Sequence, residues 1–399
     1  QVGYPSDVNP LATLAFDAGA VTNRRMYHFF LDMKYLLGSE QVQEQLCSEE
    51  RYLLQFLDLV KLHQGICPNV RAVGEHLEYE TDAWISAQII TREINRLSRQ
   101  FSEAFSPLRD PNLSQLCRAI RQTAKVVIIN SLGAERKRFH QAEIKSETRF
   151  KKLDPFEFEV DLANFTKPQH TIVDYVVEKE PMSFHHALHY TLSWLIDRGK
   201  AMTCGQLFQL LLFSGQELKE PPVPLKASIP DLQPEQYLLA LFDFPLRVCA
   251  WLSQMRAGMW VRNGITLRHQ MSTYRGVIQR DVAYQRDIFL LQAAIVLCPP
   301  ADFLASITDR FGMSDWARGN YTIRPNWDDA QTVDVAEDFI HILIILLSDR
   351  LSLIPPGEDE KPQVAAMRRD IAHILCFKPL SYSELTQRLS DKLQEADEF

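Results

Sequence analysis

Two histidines, His185 and His189, have the spacing of a metal-binding pair. They are four residues apart, which places them on one face of a helix, where two imidazoles can bind one metal ion. No cysteine is nearby, and no glutamate follows His185 as it does in the helix of a zinc metalloprotease. We therefore favour packed, hydrogen-bonded histidines at a helix start over metal ligands. Ser183 is the expected N-cap of that helix, which is predicted to begin at Phe184.

The other polar motifs indicate no reaction centre. The sequence has no glycine-rich phosphate loop, no Gly-x-Ser-x-Gly elbow and no dinucleotide-binding fingerprint. Its seven cysteines stand singly, without a Cys-x-x-Cys pair, and the adjacent carboxylates Asp328 and Asp329 fit the start of a helix. We expect no catalytic residue, no metal site and no cofactor in this chain. We interpret the cysteines as reduced thiols of an intracellular protein.

The composition is typical of a soluble globular protein. Of 399 residues, 46% are hydrophobic and 24% are charged. The 51 acidic residues outnumber the 43 basic ones, and the net charge of −8 argues against a surface that binds nucleic acid. The longest apolar run, 339–347, is far shorter than the about 20 residues that span a membrane. We expect a cytoplasmic or nuclear location and a chain that is a piece of a longer protein.

Apolar residues recur at steps of three or four through most of the chain, which predicts a mainly α fold. The region 237–298 is its predicted centre, with a helix break at 243–245, a turn at 262–264 and a further helix from about Val282. The final long helix, 334–353, is predicted to be buried.

Two segments between the helices have other patterns. Apolar residues alternate with acidic ones near 156–177, which predicts a short β hairpin on the flank of the helices. The basic segment 135–152 has glutamates at helical spacing and is predicted to be a solvated, salt-bridged helix, with contact to an acidic partner as the alternative.

Prolines concentrate at 216–236 and 355–362, which are therefore expected to be linkers. The expected order of units is an N-terminal coil at 1–20, a first helical half at 21–215, the first linker, a second helical half at 237–354, the second linker, and a last unit at 363–399.

The region around Trp260 resembles a known family. Trp260 lies on a predicted helix, the turn Arg262-Asn263-Gly264 follows it, and the pair Arg280-Asp281 begins the next helix. In this order the three features resemble the helical region of the N-recognin ubiquitin ligases. These are the UBR-box, RING-type ligases of the N-degron pathway.

A loop pattern that starts at Gln64 also agrees with this family. It includes Arg71, His76 and Glu78 at the family's spacing. We interpret these three side chains as groups that hold an interhelix loop together, and a surface that binds a partner is the alternative.

Two further stretches complete the resemblance. One is the segment 181–189, which contains His185 and His189. The other is 368–385, where Ser381 and Glu384 form a predicted capping box. The resemblance implies that residues 363–399 are the first two helices of a winged-helix domain.

The resemblance implies a scaffold segment of a ligase that ubiquitinates proteins bearing N-degrons. The partners of the whole protein would be a ubiquitin-conjugating enzyme and N-degron substrates, with no nucleic acid or membrane. The zinc of the UBR box and the RING would lie in modules outside this chain. The alternative is a non-enzymatic helical adaptor that binds a partner protein, and the absence of a repeat of fixed period argues against a solenoid form of that adaptor.

Overall fold

A computed structural model describes residues 19–65, 82–132, 149–156, 169–180, 182–221, 232–261, 265–276, 279–322, 324–348 and 362–394. The mainly α prediction is confirmed. The described residues form sixteen α-helices and a single two-stranded sheet.

The helices of the first half are α1 to α8 in chain order: Gly19–Leu37, Glu40–Ser48, Glu50–Lys61, Asp82–Ser102, Ser114–Leu132, Ala187–Arg198, Cys204–Leu211 and Gly215–Lys219. Those that follow are α9 to α16: Pro234–Arg256, Ile265–Arg275, Tyr284–Leu297, Pro300–Arg310, Ser314–Ala317, Asp329–Ser348, Pro362–Phe377 and Tyr382–Gln394. Short 3₁₀ turns cover Glu103–Phe105 and Arg280–Val282. The strands are β1, Arg149–Leu153, and β2, His170–Asp174.

The predicted helix break at 243–245 is wrong. Helix α9 continues through Pro245 without interruption. Because proline has no N–H, the carbonyl of Leu241, one turn earlier, loses its helical donor. The helix survives because this part of it lies at the centre of the fold. It is long and apolar enough to cross a membrane, but 94% of its most apolar window is buried inside the protein, as expected of a core helix.

The β hairpin is present, but its first strand is earlier in the chain than predicted. β1 pairs antiparallel with β2, with Arg149 opposite Asp174 and Leu153 opposite His170. Residues 149–152 were therefore wrongly predicted to be helical. Their lysines find partners across the sheet and on α12: Lys152 Nζ lies 2.5 Å from Thr171 Oγ1, and Lys151 Nζ lies 2.9 Å from Asp309.

The two helical halves share one hydrophobic core. A single cluster of buried side chains extends from Phe30 on α1 to Leu346 on α14. The expected linker at 216–236 contains the end of α8 and the start of α9, and residues 222–231 lie outside the described residues.

The predicted burial of the last long helix is wrong for one face of it. Helix α14 buries Val335, Phe339, Ile342 and Leu346. On its other side Val333, Ile340, Ile344 and Leu347 are exposed. Helix α14 is apolar on both faces, so hydropathy alone could not show which face is buried and which is exposed.

Candidate functional site

The segment 181–189 meets the start of the loop pattern at 64–65 inside the protein. The N–H of Gly65 donates to the carbonyl of His185 over 2.7 Å. The side-chain oxygen of Gln64 accepts from the N–H of Leu188 over 2.9 Å. Two segments of the family pattern, more than a hundred residues apart in the chain, are thus joined directly by hydrogen bonds.

The prediction that Ser183 caps a helix beginning at Phe184 is wrong. Helix α6 begins at Ala187, and Ser183 Oγ instead accepts from the N–H of His185, 2.9 Å away, in the turn before it. The first turn of α6 is capped by Gln64, because Leu188 is the second residue of that helix. A cap supplied from a distant turn leaves no local signal in the sequence.

The amide nitrogen of Gln64 also faces two histidine rings. It lies 3.1 Å from Nδ1 of His189 and 3.4 Å from Nδ1 of His186. An amide nitrogen only donates, so both rings accept at Nδ1 and carry their proton on Nε2. Gln64 therefore fixes one tautomer for each ring.

Burial keeps the three histidines of this segment neutral. It lowers the pKa of His185 to about 4 and that of His189 to about 3. Burial, followed by the neighbouring His189 and Arg247, also holds the pKa of His186 well below its usual value. Among the described residues, no group of three or more His, Cys, Asp or Glu side chains is placed to bind a metal.

His189 also acts on α9. Its ring lies 5.0 Å from the ring of Phe244, the residue before Pro245. His186 packs against the same phenylalanine at 5.1 Å. The two histidines therefore meet α9 beside its proline.

Trp260 lies in the turn after α9 and not, as was predicted, on a helix, and its side chain belongs to a network that connects the second half to the same segment. Its Nε1–H donates to Gln254 Oε1 over 3.2 Å, and Gln254 in turn donates to Glu178 over 3.0 Å. Trp260 packs edge-on against Trp251, with ring centroids 6.2 Å apart, and Trp251 stacks on Phe184 at 4.5 Å. These ring contacts thus connect Trp260, through Trp251, to Phe184, which is next to Ser183.

A charged cluster that sequence reasoning missed joins α9, α12 and β2. Asp243 forms ion pairs with Arg247, one turn later, and with Arg310 at 2.5 Å. Arg310 also donates to the carbonyls of Val173, over 3.1 Å, and Tyr175. Burial alone would raise the pKa of Asp243, but the two arginines hold it below its usual value. The i, i+4 spacing of Asp243 and Arg247 was the one signal in the sequence.

A second buried carboxylate has tyrosines as neighbours. Asp287 Oδ2 lies 2.5 Å from the hydroxyl of Tyr274 and 3.3 Å from that of Tyr190. Burial raises the pKa of Asp287 to about 7, although both hydroxyls act in the opposite direction. The hydroxyl of Tyr190 also lies 2.9 Å from the carbonyl of Phe184, so this carbonyl and Asp287 compete for its single hydrogen.

Other predicted residues that the structure describes lie outside this buried assembly. Ser381 and Glu384 form the predicted capping box at the start of α16, with Ser381 N–H donating to Glu384 over 2.9 Å and Glu384 N–H donating to Ser381 Oγ over 3.4 Å. Asp328 caps α14 as predicted, 2.7 Å from the N–H of Gln331. The backbone of Arg280 begins the 3₁₀ turn Arg280–Val282.

Several predicted positions are not described by the structure. Arg71, His76, Glu78, Asn263 and Gly264 lie outside the described residues, as does the side chain of Asp281.

Comparison with known proteins identifies the family. Residues 2–342 match the family of the UBR1/2/3-like ARM repeat domain, and residues 366–399 match the winged-helix domain of the family called E3 ubiquitin-protein ligase UBR1-like. The chain belongs to this family. The missing sequence period therefore did not argue against a helical repeat domain, and that expectation is corrected.

The similar proteins are much longer than this chain. E3 ubiquitin-protein ligase ubr1 of Schizosaccharomyces pombe is 30% identical over 100% of this chain and 18% of its own length. UBR1 of Homo sapiens is 25% identical over 92% of this chain and 18% of its own length. UBR2 of Saccharomyces cerevisiae is 22% identical over 95% of this chain and 20% of its own length. The chain spans about a fifth of the length of these relatives.

Proposed function

We propose that this chain is the helical scaffold of a RING-type ubiquitin ligase that recognises N-degrons. The scaffold sets the distance and orientation between the modules that bind the degron and the RING that engages the charged conjugating enzyme. Its contribution to ubiquitin transfer is positioning, because a reactive geometry held in place replaces a large entropic cost. The relatives are E3 ubiquitin-protein ligases, which supports the class of reaction for the whole protein.

The observation that carries this proposal is the continuous core with its buried polar contacts between elements. Gln64, on the turn after α3, caps α6, and Arg310 on α12 holds both α9 and β2. Contacts of this kind fix relative orientation, since each donor and acceptor is satisfied in one arrangement only. A spacer with such contacts transmits a defined geometry, whereas a flexible linker does not.

On this proposal, the chemistry lies outside these residues. Zinc belongs to the UBR box and the RING of the parent protein, and the partners are a ubiquitin-conjugating enzyme and proteins with N-degrons. The protein acts in the cytoplasm or the nucleus. The isolated chain should therefore neither bind a peptide with an N-terminal arginine nor accelerate discharge of a charged conjugating enzyme, and fluorescence anisotropy and a discharge assay measure these two properties.

A deletion tests the scaffold role. In the parent protein, this region is replaced by a flexible glycine-serine linker. Binding of an Arg-initiated peptide should stay near normal, while polyubiquitin formation on a bound substrate should collapse. The matched control is the intact parent with Cys204→Ser, an exposed thiol. A deletion variant that ubiquitinates its substrate at the parental rate would show that positioning is not the role, and a non-enzymatic adaptor would then be favoured.

A further inference from the structure

A groove with an apolar floor and a cationic rim lies between α1, α4 and the 3₁₀ turn Arg280–Val282. The groove encloses about 290 Å³. Its floor includes Phe30, Leu97 and Val282, which are only 1%, 2% and 6% exposed. The volume is close to the lower end of the roughly 300–1,000 Å³ of protein ligand pockets, and it has room for an apolar side chain.

The rim is basic although the whole chain is acidic. Lys34 on α1 and Arg96 and Arg99 on α4 line the groove, and all three are exposed. The groove also has one acidic lining residue, Glu93, which is buried and lies 3.0 Å from Arg96 and 3.4 Å from Arg92. Glu93 is thus already neutralised by α4 itself.

Two rim cations remain available for a ligand. Among the described residues, neither Lys34 nor Arg99 forms an ion pair with a carboxylate. In a chain with a net charge of −8, such a local concentration of positive charge attracts anionic groups from solution.

Contacts within the protein hold the rim of the groove. Gln100 of α4 donates to the carbonyl of Lys34 over 2.8 Å, which locks the two helices together at the rim. The guanidinium of Arg99 lies over the ring of Trp194, 5.3 Å from its centroid. A preformed site has less conformational entropy to lose when it binds.

We propose that this groove binds an acidic peptide segment of a partner protein. One leucine-sized side chain occupies the apolar floor, and carboxylates on either side of it pair with Lys34 and Arg99. The apolar floor supplies burial, and the cations supply selectivity for acidic sequence. This proposal does not depend on the scaffold role.

The test uses the purified chain and a fluorescein-labelled peptide with the sequence Asp-Glu-Asp-Leu-Glu-Asp-Glu, followed by anisotropy. Lys34→Glu should weaken binding by about tenfold at low salt, because it replaces an attraction with a repulsion. Lys34→Arg should retain binding. The matched control is Lys219→Glu, another exposed lysine, which lies on α8 and does not line the groove.

Two further measurements separate the floor from the rim. A peptide with serine in place of leucine should bind several-fold more weakly. Leu31 of α1 also lines the groove, and Leu31→Ser should weaken binding of the leucine peptide to a similar extent. Equal binding by the wild-type chain and Lys34→Glu would overturn the proposal. So would tighter binding of a single-stranded oligonucleotide that Lys34→Glu abolishes, since the site would then be one for nucleic acid.

Discussion

Asp243 and Asp287 are both buried carboxylates in the second helical half, yet burial has opposite outcomes for them. Asp243 lies between two arginines, which hold its pKa below the usual value against the effect of burial. Among the described residues, Asp287 hydrogen-bonds through its side chain to tyrosine hydroxyls and forms no ion pair, and burial raises its pKa to about 7. The difference teaches that burial does not decide the charge of a group; a cation within contact distance does.

The largest expected effect follows from removing the cation at the first site. Arg310→Met leaves Asp243 with Arg247 alone and takes the donors away from the carbonyls of Val173 and Tyr175. Breaking one partner of a buried ion pair costs about 3–5 kcal/mol of unfolding free energy. Chemical denaturation measures this loss, with Arg51→Met on the surface as the control. A loss below about 1 kcal/mol would mean that Asp243 remains charged and satisfied without Arg310.

The pH dependence of stability distinguishes the second site. The native state keeps the Asp287 proton up to a pH of about 7, whereas an aspartate in the unfolded chain, with its ordinary pKa of 3.8, releases it earlier. The contribution of Asp287 to the free energy of unfolding should therefore fall as pH rises from about 4 to 7. Between the two pKa values the fall is about 1.4 kcal/mol per pH unit. Asp287→Asn, which mimics the protonated form, should lose this slope.

The histidines act in the opposite direction within the same range. Their lowered pKa values mean that the unfolded chain takes up protons first, so their contribution to stability is lost as pH falls below about 6.5. The quantity to plot is thus the difference in unfolding free energy between Asp287→Asn and wild type. It should increase from pH 4 to 7, whereas Gln45→Leu on the surface, which removes no titratable group, should give a flat difference. A flat difference for Asp287→Asn would mean that its carboxyl is ionised in the native state.

A neutral buried site should give a smaller effect than either carboxylate. Gln64→Leu removes the cap of α6 and the donor to His186 and His189 without isolating a charge. The expected loss is about 2 kcal/mol, the cost of leaving buried polar groups unpaired. Thermal or chemical unfolding measures it, and Gln45→Leu on the exposed side of α2 is the control. An unchanged midpoint would show that the histidines do not need Gln64.

The smallest effect is expected where water can replace the lost bond. Ser381→Ala breaks the exposed capping box of α16 and should cost about 1 kcal/mol of local helix stability. Amide hydrogen exchange in the first turn of α16 measures it. In Ser381→Ala, exchange should be faster in the first turn of α16 and unchanged in α6. Equal exchange rates in the variant and the wild type would show that Ser381 does not cap α16.

The sequence predicted what local periodicity can encode. The mainly α class and the capping box at Ser381 both follow from patterns within one or two turns. The errors at Ser183, Pro245 and 149–152 share one cause. In each case parts of the chain distant in sequence decide the local conformation: Gln64 at the start of α6, the surrounding core at Pro245, and β2 at 149–152. No window centred on those positions contains these distant parts.

Asp243, Asp287 and Arg310 were missed for a related reason. Nothing in a single sequence distinguishes a buried aspartate from the many exposed ones, because its burial depends on how the helices pack. The family resemblance did locate His185, His189 and Trp260, and the structure assigns each of them a contact between elements.

The continuous passage of α9 through Pro245 has a mechanical consequence. At 23 residues and about 1.5 Å per residue, this helix is a rod of about 35 Å. Core side chains surround it, so bending it would open the packing on every side at once. A force applied at Pro234 would therefore displace Arg256 as well, because the helix moves as one rigid body and bends little.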